Sequence, residues 1–150
     1  MNQNRIDLYL EYKSTRFKAP QISLTSNGFS TILTDPHCTF FLPAGVHQIE
    51  LMLLNKDSND TIVQDGQIVE DLYVVLKEFK INSISFMENL DQISEYSDWS
   101  GNPIKTNGWM SFPRPYIITL QTPGYFFKRN LSLLSADWKK KLLPQLINKY

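Results

Sequence analysis

The stretch His47-Gln48-Ile49-Glu50-Leu51-Met52-Leu53-Leu54 decides the fold class. Ile49, Leu51 and Leu53 recur at every second position, with Gln48 and Glu50 among the residues between them. A strand sends successive side chains to opposite faces, whereas a helix repeats about every 3.6 residues, so this stretch predicts a half-buried β-strand. Residues 5–12 repeat the pattern. Ile6, Leu8, Leu10 and Tyr12 fall on one face, and Asp7, Tyr9 and Glu11 on the other.

Working outward, turn chemistry separates further short strands. Lys18-Ala19-Pro20 breaks the first strand, residues 21–25 form a second, and Ser26-Asn27-Gly28 turns the chain into a return strand over 29–33. Asp35-Pro36 turns it again before the aromatic and β-branched run 38–42, and Pro43-Ala44-Gly45 leads into the decisive strand. Residues 55–66 are a long polar loop, 69–81 one or two strands, and 84–87 a short pairing segment. Residues 88–108 read as an elaborated loop region, and 109–112 and 116–121 as final strands. Pro113 and Pro115 between them mark an edge or a bend. Ser135 can cap a helix whose first turn holds Asp137, with Trp138, Leu142 and Leu146 on one face and Pro144 as a kink. Helices do not alternate with strands, so a parallel sheet is not expected. The expectation is one domain over residues 1–150. It is mainly β, an antiparallel, jelly-roll-like sandwich of about eight strands. A C-terminal helical segment covers about residues 126–150.

Composition narrows the function. A chain of 150 residues can bury roughly 70% of its unfolded surface and needs no covalent staples. Fifteen basic residues balance fifteen acidic ones, which leaves no overall electrostatic footprint for nucleic acid or an anionic membrane. Lys139, Lys140, Lys141 and Lys149 read as the solvated face of the terminal helix. Cys38 is the only cysteine, so neither an intramolecular disulfide nor a cysteine-based zinc site can form. The first residues hold no apolar signal region, and no apolar run approaches the roughly 20 residues of a membrane span. Folding in a reducing cytoplasm is expected, without nucleic acid or membrane as partner.

The residues of catalysis are sparse. His37 and His47 are the only histidines. His37 and Cys38 are neighbours on a strand and point to opposite faces, so they do not form a nucleophile–base pair. The same holds for the carboxylates of Glu70 and Asp71. No Gly-x-Ser-x-Gly, Walker or dinucleotide motif occurs. No catalytic residue is assigned, and the chain is expected not to be an enzyme. The loop after the decisive strand is richer. Asp57, Asn59, Asp60, Asp65, Glu70 and Asp71 offer six oxygen-bearing side chains within seventeen residues. Hard oxygen ligands in a loop suit calcium, with Asp57, Asp60, Asp65 and Asp71 as its candidate ligands. An EF-hand does not fit, because Ile62 and Ile68 occupy its glycine and terminal glutamate positions. A solvated hairpin loop also fits, and Asp65-Gly66 is a turn pair that favours it. No cofactor other than calcium is expected.

Two resemblances emerge. Gly45-Val46-His47, Asn55, the run Glu70-Asp71-Leu72-Tyr73-Val74 and Ile81-Asn82-Ser83 resemble the core pattern of jelly-roll carbohydrate-binding modules. In their calcium-dependent versions the acidic residues before that strand bind metal, which implies Asp57, Asp60 and Asp71 here. Ser83 stands where that turn usually has glycine, and the family's Arg-Asn pair is absent. The second resemblance covers roughly residues 44–130. Asn55-Lys56, Asp60-Thr61, Asp65-Gly66-x-Ile68-Val69-x-Asp71, Asn107-Gly108-Trp109 and Thr122-Pro123 are similar to small β-sandwich proteins of tailed bacteriophages. That resemblance implies a virion component made in the host cytoplasm, with other virion proteins as partners in a multi-copy assembly.

Aromatics supply the candidate contacts. Tyr96, Trp99 and Trp109 lie in or beside the polar region, and each can anchor an interface, stack on a glycan or roof the core. Tyr125, Phe126 and Phe127 are consecutive, so they cannot all face one core and at least one is expected at a partner surface. The expected function is therefore a non-enzymatic structural protein of a phage particle, with glycan binding as the alternative.

Overall fold

The computed structural model describes residues 3–133, and the helix predicted from Ser135 onward, with the tail lysines, lies outside the described residues. Alternation sets the first strand. β1 (Gln3–Lys13) buries Ile6, Leu8 and Leu10 and turns Arg5 and Tyr9 outward. β2 (Ile22–Ser26) and β3 (Phe29–Leu33) form a hairpin around Asn27-Gly28, whose φ values are +54° and +78°. Two positive φ angles make the type I′ turn that matches strand twist, which is why Asn-Gly stands there. β4 (His37–Pro43) runs through Ala44 into β5 (Gly45–Leu53). β6 (Ile62–Gln64) and β7 (Gln67–Glu70) form a second hairpin on Asp65-Gly66, and β8 (Tyr73–Ile81) and β9 (Ile84–Ser85) a third on Asn82-Ser83. After them come α1 (Leu90–Ile93), β10 (Ser94–Ser97), β11 (Pro103–Ile104), β12 (Trp109–Met110), β13 (Pro115–Thr122) and α2 (Gly124–Leu133).

The strands make the antiparallel β-sandwich that the alternation predicts, with a helix after its last strand. One five-stranded sheet has the order β12-β8-β1-β4, with β9 also beside β8. A six-stranded sheet has the order β11-β10-β13-β5-β2-β3, and β6–β7 is a separate ribbon. The decisive stretch lies at the centre of the six-stranded sheet. Ile49, Leu51 and Leu53 face Ile6, Leu8 and Leu10 of the opposite sheet within one apolar core. Residues 69–81 divide in two because Asp71 and Leu72 leave the ladder. The 88–108 region is more ordered than its polarity predicts. Leu90, Ile93 and Tyr96 are each buried and hold α1 and β10 against the core, although polar neighbours obscure any period.

One irregularity tunes the five-stranded sheet. Tyr9 pairs with Glu78 and Leu10 with Leu76, so Lys77 is a bulge with no partner in β1. Val74 and Leu76 point inward before it, and Phe79 and Ile81 after it. The far end of the sandwich is closed by an aromatic stack, in which Phe86 lies 6.1 Å from Phe79 and 5.2 Å from Phe127 of α2. The Thr122–Pro123 peptide is cis, and the Gly124 amide then donates to Asn82 Oδ1 at 2.8 Å. Gly124 has no room for a side chain, since a Cβ would lie 2.5 Å from the Ile81 carbonyl oxygen. Gly124→Ala is expected to cost about 1–3 kcal/mol, the range of core overpacking, read as a lower urea midpoint. Gly66→Ala meets open space and strains only its positive φ, so its midpoint should fall less.

Candidate interaction surfaces

The acidic loop is organised by two lysines. Lys56 leaves 1% of its side chain exposed. Its ammonium donates to Asp71 Oδ1, to the Leu72 carbonyl at 2.6 Å and to Ser111 Oγ at 3.1 Å. Asp71 also accepts from Thr61 Oγ1 at 2.8 Å, from the Leu72 amide at 3.0 Å and from Ser111 Oγ at 3.2 Å. Lys18 donates to Asp60 at 2.8 Å, to Asp57 at 3.4 Å and to the Asn55 carbonyl at 2.7 Å. Asp57 caps the short turn Ser58–Asp60 by accepting from the Asn59 amide at 2.8 Å. Burial works to raise the Asp60 carboxyl, but the Lys18 hydrogen bond, the Asp57 amide and the nearby lysine charges outweigh it and hold the pKa below the ordinary value.

This arrangement engages the carboxylates of the calcium expectation elsewhere. Ammonium groups stand where a cation would sit, and the lone pairs of Asp57, Asp60 and Asp71 go to lysines, hydroxyls and amides. Asp65 is exposed at the tip of the β6–β7 hairpin. Among the described residues no three His, Cys, Asp or Glu side chains converge as a metal site. The residues do not fit calcium. They pin the base of a ribbon instead. Glu70 of β7 accepts from the Arg16 amide at 2.9 Å and from its guanidinium at 2.5 Å, while Asp60, Thr61 and Asp71 hold the two chain ends. The pinned ribbon presents Val63 and Ile68, which are directly opposite each other and 55% and 64% exposed.

Three of the predicted aromatic contacts converge on Phe112. Its ring lies 6.0 Å from Tyr96, 5.9 Å from Trp99 and 6.0 Å from Trp109, the last two edge-on. Tyr73 extends the cluster at 5.9 Å from Trp109. Tyr96 is largely buried and anchors the core. Its hydroxyl donates to the Phe112 carbonyl at 2.8 Å and accepts from the Phe112 amide at 2.7 Å, which satisfies it without water. Trp109 is half-buried, and Trp99 is exposed, with its carbonyl accepting from Arg114 at 2.8 Å. Beside the cluster, the outer face of the six-stranded sheet carries a groove of about 410 Å³ lined by Glu95, Tyr96, Ser97, Pro103, Pro115 and Ile117. A second concavity of about 240 Å³ continues it past Ile117 to Thr25, Gln48 and Glu50.

The consecutive aromatics separate as their positions on α2 require. Phe127 is fully buried against Phe86 and is a core residue, not a contact. Tyr125 and Phe126 are exposed and lie 4.4 Å apart, ring to ring. Sequence reasoning missed the open flank of the sandwich. Phe29 and Ile32 of β3 and Phe41 of β4 are more than half exposed, on the last strand of each sheet. The available signal was Phe40-Phe41, since neighbours on a strand cannot both face the core.

The histidines do not meet the cysteine. His47 is buried and donates through Nε2 to the Pro43 carbonyl at 2.8 Å, while His37 lies on the outer face opposite Tyr9. Cys38 faces inward, opposite Leu8. Comparison with protein-family models, with curated proteins and with solved structures finds no match.

Removing the Lys56 ammonium leaves Asp71 without its charge partner, so Lys56→Met should cost about 3–5 kcal/mol in denaturant unfolding. Addition of calcium or a chelator should leave the melting temperature of the natural chain unchanged. The buried phenols give a separate alkaline signature. Burial pushes Tyr96 and Tyr116 up to about 12, with their hydrogen bonds acting in the opposite direction. A raised folded-state value means the stability is complete below the unfolded value near 10 and is lost as pH climbs toward 12. Tyrosinate absorbance should therefore rise in two stages, the later one coinciding with loss of the near-UV circular dichroism.

Proposed function

We propose that the chain is a non-enzymatic structural protein of a bacteriophage virion, working through protein–protein contacts. The observation that carries the reading is where apolar surface lies. Exposed apolar side chains scattered singly are ordinary, but pairs on unpartnered strands are costly to leave in water. Val63 and Ile68 form such a pair on the pinned ribbon, and Phe29, Ile32 and Phe41 share the open flank. The phage context comes from the loop motifs of residues 55–71 and 107–123. Other virion proteins are the partners it implies, with synthesis in the host cytoplasm. If purified particles of the source phage, probed with an antibody to this chain, lack it while the infected-cell lysate contains it, the virion reading is wrong.

A second reading has its own observation. Trp99 is 44% exposed beside a groove whose polar lining includes Glu95 and Ser97, and an aromatic face with adjacent hydrogen-bonding groups suits a sugar ring. This glycan-binding reading needs no calcium. A glycan array should show binding that Trp99→Ala abolishes, and a blank array would sink it.

A further inference from the structure

The four edges of the two sheets are not alike. β11 and β12 end one flank and are two residues long each, and β11 begins with Pro103, which has no amide proton to offer. β9, also on that side of β8, is equally short. Short strands and proline are the usual means of blunting an edge. The opposite flank has longer strands, and its one strand proline, Pro43, stands at the very end of β4. That flank ends in β3, with five residues, and β4, with seven. Neither carries Lys, Arg, Asp or Glu, and among the described residues no strand pairs with the free side of either. Thr39 Oγ1 donates to Asp7 Oδ1 at 2.7 Å, so β4 is fastened on its inner side to β1.

We infer that β4 is a homotypic edge, which pairs antiparallel with β4 of a second copy and joins two five-stranded sheets into one of ten. This deepens the reading of the chain as an assembly protein by naming one partner and its surface. The row of unpaired backbone groups calls for an extended strand, and the strand's own chemistry favours a copy of itself. A two-fold axis between residues would set inward side chains against outward ones, so it must pass through a residue. Centred on Phe40, the axis sets all seven positions of β4 opposite one another, and only the terminal Pro43 adds no ladder bond, since it has no amide proton and its carbonyl already accepts from His47 and Thr122. His37 then meets Pro43 of the second copy, Cys38 meets Leu42, Thr39 meets Phe41 and Phe40 meets itself. Inward residues face inward residues throughout, because Cys38, Phe40 and Leu42 oppose Leu8, Ile6 and Asn4 across β1. No charge opposes a like charge. Phe40 and Cys38, which the core covers only partly, gain the cover they lack. Exposed Phe41 comes to lie over a threonine methyl group.

Sedimentation equilibrium of the full chain over a wide concentration range tests the pairing, and a dimer is expected. Phe41→Glu places a carboxylate beside Arg5 of its own chain and should leave the fold intact by circular dichroism. In the dimer it brings two carboxylates to the edge and should weaken association about tenfold or more. Ile32→Glu on β3 should leave the dimer unchanged. Phe40→Cys combined with Cys38→Ser should yield a disulfide-linked dimer on mild oxidation, because directly opposed strand residues lie within disulfide reach. A chain that stays monomeric throughout overturns the inference, and so does a dimer that survives Phe41→Glu or yields no crosslink through a folded Phe40→Cys chain. The virion reading stands or falls separately, on the composition of the particles.

Discussion

A buried ammonium group ties one end of the sandwich together. Lys56 has three N–H donors, and each finds an acceptor: Asp71, the Leu72 carbonyl and Ser111. Burying a charge is costly unless its partners are in place, so the lysine tolerates little variation in their positions. Those partners lie on chain segments far apart in sequence. Asp71 and Leu72 precede β8, and Ser111 follows β12. Fixing Ser111 also fixes its neighbour Phe112, on which Tyr96, Trp99 and Trp109 converge. The pinned ribbon and the aromatic cluster are thus two outcomes of one constraint.

The surfaces divide by flank. Where β11 and β12 end the sheets, the strands are brief and aromatic rings pack over the end, leaving Trp99 as the exposed member. Where β3 and β4 end them, the strands are longer, neutral and open. A sandwich that protects one flank and exposes the other has a direction, and directed contacts suit a protein that adds to a larger structure. Both histidines are engaged in hydrogen bonds within the sandwich. His47 is held as a core donor, and His37 is part of the Asp7 network on the outer face.

Much of the fold was legible because burial on one face forces alternation. β3 could be read to the residue from Phe29–Leu33, and β1 and β5 to within two residues at each end from Ile6-Leu8-Leu10 and Ile49-Leu51-Leu53. The type I′ turns announced themselves through Asn27-Gly28 and Asp65-Gly66. Alternation failed where elements are too short to show a period, as in α1 and β10, where Leu90, Ile93 and Tyr96 stand among polar neighbours. The site was less legible. Carboxylates in a loop carry the same signal whether they await a metal or a lysine, and Lys18 and Lys56 are recognised as partners only once the chain has folded. Tyr96 and Trp99 are three residues apart, yet one is core and the other surface. Hydrogen bonds to the Phe112 backbone decide that difference, and no local pattern encodes them.

The order of pairing carries a consequence for how the chain reaches this state. β1 lies between β4 and β8, and β5 between β2 and β13, so neither central strand is completed by its neighbours in sequence. On a ribosome the five-stranded sheet waits for residue 110 and the six-stranded sheet for residue 122. Loop closure must precede the contacts that reward it, which makes such topologies slow to fold. β3 and β4 are synthesised early, beside their partners β2 and β1, and their outer sides stay unpaired through that interval. If β4 pairs with its own copy as inferred, nascent chains in the same polysome would bring matching neutral strands together before either sandwich has closed, in competition with the arrival of the late strand β13.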